Sequence, residues 1–170
     1  MINYIHRTAS NLKIKFNTND PFEIVEALGI YISFRQIGRL KGFYHVVNRE
    51  YHIVINQTLC DMDKRVVCAH ELGHDRLHKH FARMAAFKDF IIYDISSKPE
   101  FEANLFAADI LLNDTEILEL QNDCDFISMG TIIGINPNII TFKLISMRQR
   151  GFILNISQSY DNKFLKNNFS

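Results

Sequence analysis

Apolar residues fall at helical spacing from the start of the chain. Ile2, Ile5, Ala9, Leu12 and Phe16 step by three and four, which predicts a first helix with one buried stripe. A second helix is framed by its ends: Asp20 can cap it, Pro21 suits its first turn, Glu23 stands at capping-box spacing, and Gly29 stops it. From Ile30 the period drops to two. Ile30, Ile32 and Phe34 alternate with Tyr31, Ser33 and Arg35, and similar extended runs follow at 43–47 and 51–55. Gly38 and Gly42 break the first connection, while Asn48, Arg49 and Glu50 turn the second. These runs predict a small antiparallel β-meander, within which His45 and His52 take ordinary sheet-surface positions.

Beyond Asn56 the pattern is mostly helical, over about 62–78, 98–112, 114–122, 126–133 and 137–150, the last opened by Pro137 and closed by Gly151. Strands first and helices afterward predict an α+β fold. Residues 79–97 include FARMAAFKDFIIYD, too apolar for a free linker and suited to packing over the central helix. The tail after 155, SQSYDNKFLKNNFS, is polar and expected to fray. Residues 1–150 are therefore read as one domain and 151–170 as a C-terminal tail.

Composition narrows the class. A chain of 170 residues that is 47% hydrophobic can bury a substantial single core. Its 19 basic and 19 acidic side chains cancel, so no global field favours nucleic acid or an anionic membrane surface as a direct partner. Cys60, Cys68 and Cys124 are odd in number and lack C-x-x-C spacing, which fits buried thiols in a reducing compartment. The start, MINYIHRTASNLKIKF, is interrupted by His6, Arg7, Lys13 and Lys15 and lacks the unbroken apolar stretch of a secretory signal. No apolar run reaches membrane-spanning length. The expected location is the cytoplasm, where the N-x-S/T triplets at Asn56 and Asn155 carry no meaning for glycosylation.

The chemistry concentrates in VVCAHELGHDRLH, residues 66–78. His70, Glu71 and His74 form an H-E-x-x-H pattern. On a helix, positions four apart lie about 40° from eclipsed and about 6 Å apart along the axis, so both imidazoles can converge on one ion. Zinc accepts such nitrogens at about 2.0–2.1 Å. Glu71 then projects beside the metal, where it can take a proton from activated water. Val66, Val67, Cys68 and Ala69 predict a buried first half of this helix, and Asp75, Arg76 and Lys79 bring polarity only after the motif. The bland alternative is a pair of core histidines bonded to carbonyls.

A catalytic zinc takes a third protein ligand and leaves one position for water. His80 occupies the third-histidine position of an extended H-E-x-x-H-x-x-G-x-x-H pattern, but Leu77 stands where that pattern turns on glycine. His78 lies about 12 Å along a straight helix axis from His70. Neither reaches back, and both are expected to be solvated or at a cleft rim. The better source is KPEFEANLFAADILL, residues 98–112. Glu100 shares a face with Asn104, Ala107 and Leu111, small or apolar residues suited to close helix packing. Glu102 shares its face with Phe106 and Asp109, a mixture more usual at a surface. Glu102 as ligand, and a purely capping role for Glu100 opposite Ser97, stay open as alternatives. Asn104 is placed either to hydrogen-bond a ligand histidine's free ring nitrogen or to stand as an exposed amide.

AHELGHDRLH at 69–78 followed by EFEANLFAADILL at 100–112 resembles the ImmA/IrrE-type metallopeptidases of bacteria and their mobile elements, whose pattern is an AHELGH helix and then E-x-x-A-N-x-F-A-A-x-x-L. NDPFEIVEALGI at 19–30 and GRLKGFY at 38–44 extend the likeness. It departs at Leu111, Leu112 and Asn113, where the family commonly closes with a Leu-Met-Pro-like sequence. The resemblance implies a mainly helical, zincin-like body, zinc held by His70, His74 and Glu100, and Glu71 as general base. It further implies an intracellular endopeptidase whose substrate is a helix-turn-helix transcriptional repressor, cleaved to relieve repression. An extended substrate segment could pair with an edge of the sheet.

Two other readings stand beside it. In one, the protein sequesters the repressor without cutting it and zinc is a structural staple, although a purely structural site more often closes with four protein ligands. In the other, the segments at 126–133 and 137–150, joined by GINP and carrying Arg148 and Arg150, form a DNA-reading pair. The neutral chain and the apolar NIITFKLISM argue for a packed element instead.

Overall fold

The computed structural model describes residues 1–79, 87–89 and 97–155. His80, most of the connector at 79–97 and the tail beyond 155 lie outside the described residues, and with them the expectations about connector packing and tail fraying.

Among the described residues there are seven helices and one four-stranded sheet, an α+β fold. Helix α1 (Ile2–Phe16) buries Ile2, Ile5, Ala9 and Leu12, the stripe expected from their spacing, and ends where Asn17 turns left-handed at φ 53°. Helix α2 (Pro21–Ala27) starts from Asp20, whose Oδ1 accepts from Phe22 N–H at 2.9 Å. The other Asp20 oxygen accepts from Arg65 Nη1 at 2.6 Å, tying this helix start to the central helix.

Strands β1 (Tyr31–Arg35), β2 (Gly42–Val47) and β3 (Glu50–Asn56) occupy the three extended runs. β2 and β3 form an antiparallel hairpin whose two central residues, Asn48 and Arg49, have φ of 51° and 70°, the positive values that a two-residue hairpin turn uses. β1 departs from the expected meander. It pairs parallel with β3, with Ile32 opposite Ile53 and Phe34 opposite Ile55, so β3 lies between β1 and β2. The cause is the connection 36–41, which crosses the end of β3 and is held there by Asn56. The Asn56 amide donates to Gly38 O at 3.1 Å and Leu40 O at 2.8 Å, and its backbone N–H donates to Lys41 O at 2.9 Å. Strand β4 (Phe87–Asp89), a piece of the connector, pairs antiparallel with Gly42–Tyr44 of β2 and completes the order β1-β3-β2-β4. On the outer face His45 stacks on His52 with centroids 5.2 Å apart, and His52 on Tyr31 at 5.1 Å, the sheet-surface roles expected of both histidines.

Helix α3 (Asp61–Leu77) packs between the sheet and helix α4 (Lys98–Leu111), and α4 packs in turn against α1 and α7. The shorter α5 (Asp114–Leu120) and α6 (Phe126–Ile133) lead to α7 (Pro137–Gln149). α7 buries Ile139, Ile140, Phe142, Leu144, Ile145 and Met147, and Arg150 is engaged by Asp114 through two bonds of 2.7 Å. It is a packed element rather than an exposed reading helix. Among the described residues no helix is long and apolar enough to cross a membrane.

Candidate metal centre

The middle of α3 is buried on every side: each residue from Val66 to Asp75 is shielded from solvent. Four of them, His70, Glu71, His74 and Asp75, are polar or charged, and such groups are tolerated in a core only with partners. Their placement depends on two close approaches. A Cβ on Gly42 of β2 would lie 2.4 Å from Val67 Cγ1 and 3.1 Å from Glu71 Oε1, so only glycine lets the strand run this near the helix. On the other side, a Cβ on Gly73 would lie 3.1 Å from Ala103 Cα and 3.2 Å from Phe106 Cδ1, which marks the tight crossing of α3 and α4.

That crossing brings Glu100 to the histidines. Ser97 caps α4, accepting from the backbone N–H of Glu100 at 3.4 Å, while the Glu100 carboxylate reaches across to α3. Capping and approach to the two histidines thus coexist in one residue. His70 Nε2 lies 3.0 Å from His74 Nε2 and 3.1 Å from Glu100 Oε2, and His74 Nε2 lies 3.5 Å from Glu100 Oε1. Donor atoms sharing one zinc tetrahedrally at about 2.0–2.1 Å stand about 3.3 Å apart, and these separations bracket that figure. Among the described residues, His70, His74 and Glu100 are the group of three or more whose ligand atoms converge within 4.8 Å. The donor set, two imidazole nitrogens and a carboxylate oxygen, suits a divalent ion such as zinc. Burial pushes the Glu100 carboxyl up, but hydrogen bonds from both imidazoles outweigh it and hold the group well below the ordinary carboxylate range.

Neighbouring side chains orient the two imidazoles. His70 Nδ1 lies 3.0 Å from the Oδ1 of Asn104, which is buried on α4. His78, expected at a cleft rim, is only 6% exposed. It occupies the C-cap of α3, which stops at Leu77 rather than running on. Its backbone N–H still donates to His74 O at 2.9 Å, and this keeps the ring one turn beyond His74 on the same face. Glu102 likewise faces α3 rather than an exposed surface, with Oε2 at 2.9 Å from His78 Nε2. Four-residue spacing of His70, His74 and His78 was the sequence signal for this. Glu71 is 0% exposed and lies against Gly42. Past the motif, Tyr44 O–H donates to Asp75 Oδ1 at 2.6 Å, pinning β2 to the end of α3, and Asp75 also pairs with Arg76. Burial and the Asp75 bond push the Tyr44 phenol far above its usual range. A cavity of about 430 Å³ lined by Met62, Arg65, Leu112, Glu116 and Ile135 shares no residue with this group.

A buried helix bearing two histidines around a glutamate, with a carboxylate delivered by the neighbouring helix as the third donor, is the donor arrangement of a metallopeptidase. Residues 25–125 match the peptidase family described as the IrrE N-terminal-like domain, and the chain belongs to that family. It is 34% identical over 109 residues to the uncharacterized immunity region protein 2 of Bacillus phage phi105, covering 64% of this chain and 68% of the relative. It is 33% identical over 117 residues to metallopeptidase ImmA of Bacillus subtilis strain 168, covering 67% of this chain and 66% of that protein.

Proposed function

We propose that the protein is a zinc-dependent endopeptidase that hydrolyses a peptide bond in a helix-turn-helix transcriptional repressor and thereby relieves repression. The observation that carries this reading is the convergence of His70 Nε2, His74 Nε2 and the Glu100 carboxylate at 3.0 to 3.5 Å. The names of its relatives, an immunity region protein and a metallopeptidase ImmA, support the choice of a repressor as substrate.

His70, His74 and Glu100 would hold a zinc ion, which would supply a Lewis acid able to acidify water and polarise a carbonyl. Glu71 takes the proton from the attacking water and returns it to the departing amine, the work of a general base that then acts as an acid. Its burial between α3 and Gly42 removes competing solvent from the carboxylate. Asn104 accepts from His70 Nδ1–H and so leaves His70 Nε2 with a lone pair for the metal.

Incubation with the helix-turn-helix protein encoded by a neighbouring gene, with and without chelator, and mass analysis of the products tests the reading. Fragments are expected only in the chelator-free reaction. Glu71→Gln should retain zinc yet lose about 10²- to 10⁴-fold in cleavage rate. A zinc-loaded Glu71→Gln protein that relieves repression as well as wild type would show that the activity is sequestration, not proteolysis.

A further inference from the structure

The two imidazoles of the proposed metal site are tied back differently. His70 meets a neutral amide, whereas His74 meets a second imidazole that itself ends on a carboxylate. His74 Nδ1 lies 3.2 Å from His78 Nδ1, and His78 Nε2 lies 2.9 Å from Glu102 Oε2. His74 and His78 are both buried, and the Glu102 side chain is 13% exposed, so solvent competes weakly along the row. Lys98 Nζ, 3.8 Å from the other Glu102 oxygen, adds a cation at its outer end.

Resting on the metal-site reading above, we propose that His78 and Glu102 are positioning residues: a proton-ordered relay that fixes the tautomer and ring plane of His74 and so sets the metal affinity of the site. The proton order follows from the chemistry of a neutral imidazole, which donates from one nitrogen and accepts at the other. A lone pair on His74 Nε2 requires the proton on His74 Nδ1. His78 Nδ1 must then accept it, which puts the His78 proton on Nε2, aimed at an oxygen that only accepts. A single arrangement of protons satisfies both contacts. The carboxylate polarises His78, His78 becomes a stronger acceptor for His74, and His74 becomes a more basic ligand.

Capping does not explain these side chains. The cap on α3 is made by the backbone N–H of His78, and an apolar side chain at 78 would serve it equally. Burying an imidazole opposite a carboxylate is costly where apolar packing is available, so the pair needs a role beyond stability.

The test measures zinc dissociation constants by chelator competition, together with the imidazole N–H resonances of the zinc-loaded protein. His78→Leu removes the acceptor and is expected to weaken zinc about 10- to 100-fold, with loss of the protected His74 Nδ1–H signal. His78→Asn carries an oxygen near the position of the imidazole Nδ1 and should restore affinity to within a few fold, with the signal. Glu102→Gln should weaken zinc in the wild-type background and add nothing to His78→Leu, as members of one chain do. His78→Leu with wild-type affinity and an intact signal overturns the proposal. So does His78→Asn as weak as His78→Leu, since that pattern reports packing. If the wild-type protein takes up no zinc, the metal-site reading falls as well; if it binds zinc and the variants match it, only the relay falls.

Discussion

Gly73→Ala tests how Glu100, the proposed third ligand, is placed. The added methyl would stand 3.1 Å from Ala103 Cα, 3.2 Å from Phe106 Cδ1 and 3.3 Å from Ala103 O. Carbon contacts normally settle at about 3.5–4.0 Å, so the shortfall is roughly 0.3–0.9 Å. Two of those neighbours are backbone atoms of α4 that cannot rotate aside. The helix itself must yield, and Glu100 lies one turn from Ala103. Metal–ligand distances tolerate about 0.2 Å, so a displacement of a few tenths at Ala103 is enough to spoil the ligand set. Two energies oppose each other: alanine gains about 1 kcal/mol over glycine in a helix interior, while overpacking a tight core costs about 1–3 kcal/mol. The net loss is then about 0–2 kcal/mol, or up to about 8 °C in Tm for a chain of this size. Zinc affinity should fall about tenfold or more. Metal-free thermal unfolding by circular dichroism and zinc competition titration measure the two effects separately. A variant that melts about 2–4 °C higher, as helix propensity alone predicts, and binds zinc like wild type would refute the tight-crossing argument.

Acid titration should expose the charge network on the far side of α4. Burial raises the carboxyls of Asp109 and Asp114, but bonds from His6, Lys143 and Ser146 on the first, and from Arg150 and Lys143 on the second, outweigh it and depress both. A carboxyl depressed in the folded state contributes stability that is complete above its unfolded value of about 3.9 and is lost as pH falls through the folded value. Urea unfolding should therefore show stability dropping below about pH 5, with a shallower drop in Asp114→Asn; equal slopes would discount the network. Asp20→Ala removes both the cap on Phe22 N–H and the 2.6 Å bond to Arg65. It should cost about 1–2 kcal/mol in denaturant unfolding and leave zinc affinity unchanged, because neither contact touches the ligands.

The helices were legible to within one or two residues because their ends carry chemistry. Asp20, Pro21, Pro137 and the glycines after α2 and α7 announce boundaries that packing then respects. The paired histidines were legible too, since four-residue spacing is a local property of the chain. The preference for Glu100 could be read from the small, apolar face it shares with Asn104 and Ala107, but the surface position expected of Glu102 was wrong, because α4 is buried around most of its circumference and nearly all its faces are inward. His78 was misread for a related reason. Its axial distance from His70 rules it out as a ligand to the same ion, but the relevant distance is to the far nitrogen of His74. The parallel placement of β1 depends on Asn56 gripping the 36–41 crossover, a tertiary contact without periodic signal, and β4 spans only three residues, too few for a pattern.

Besides the Glu100 carboxylate near its start, α4 carries a second, buried one at Asp109. Asp109, on the same helix as Glu100, accepts from Lys143 Nζ and Ser146 Oγ at 2.8 Å each, and His6 Nδ1 stands 3.3 Å away. Well-packed apolar residues at these positions would often be as stable or more so. Apolar contacts, however, tolerate rotation and sliding of a helix, whereas several donors from α1 and α7 meeting one carboxylate resist both. Gly73 sets how closely α4 approaches α3, and Asp109 sets its rotation and register from behind. A carboxylate that must reach two imidazoles on another helix within a few tenths of an ångström needs both constraints. The same logic accounts for the end of α4 at Leu111, Leu112 and Asn113: Leu112 turns extended, and Asn113 Oδ1 accepts from Lys13 Nζ at 2.7 Å. The departure from a Leu-Met-Pro-like close is thus taken up by a tie to α1, and the start of α4, where Glu100 stands, keeps its place.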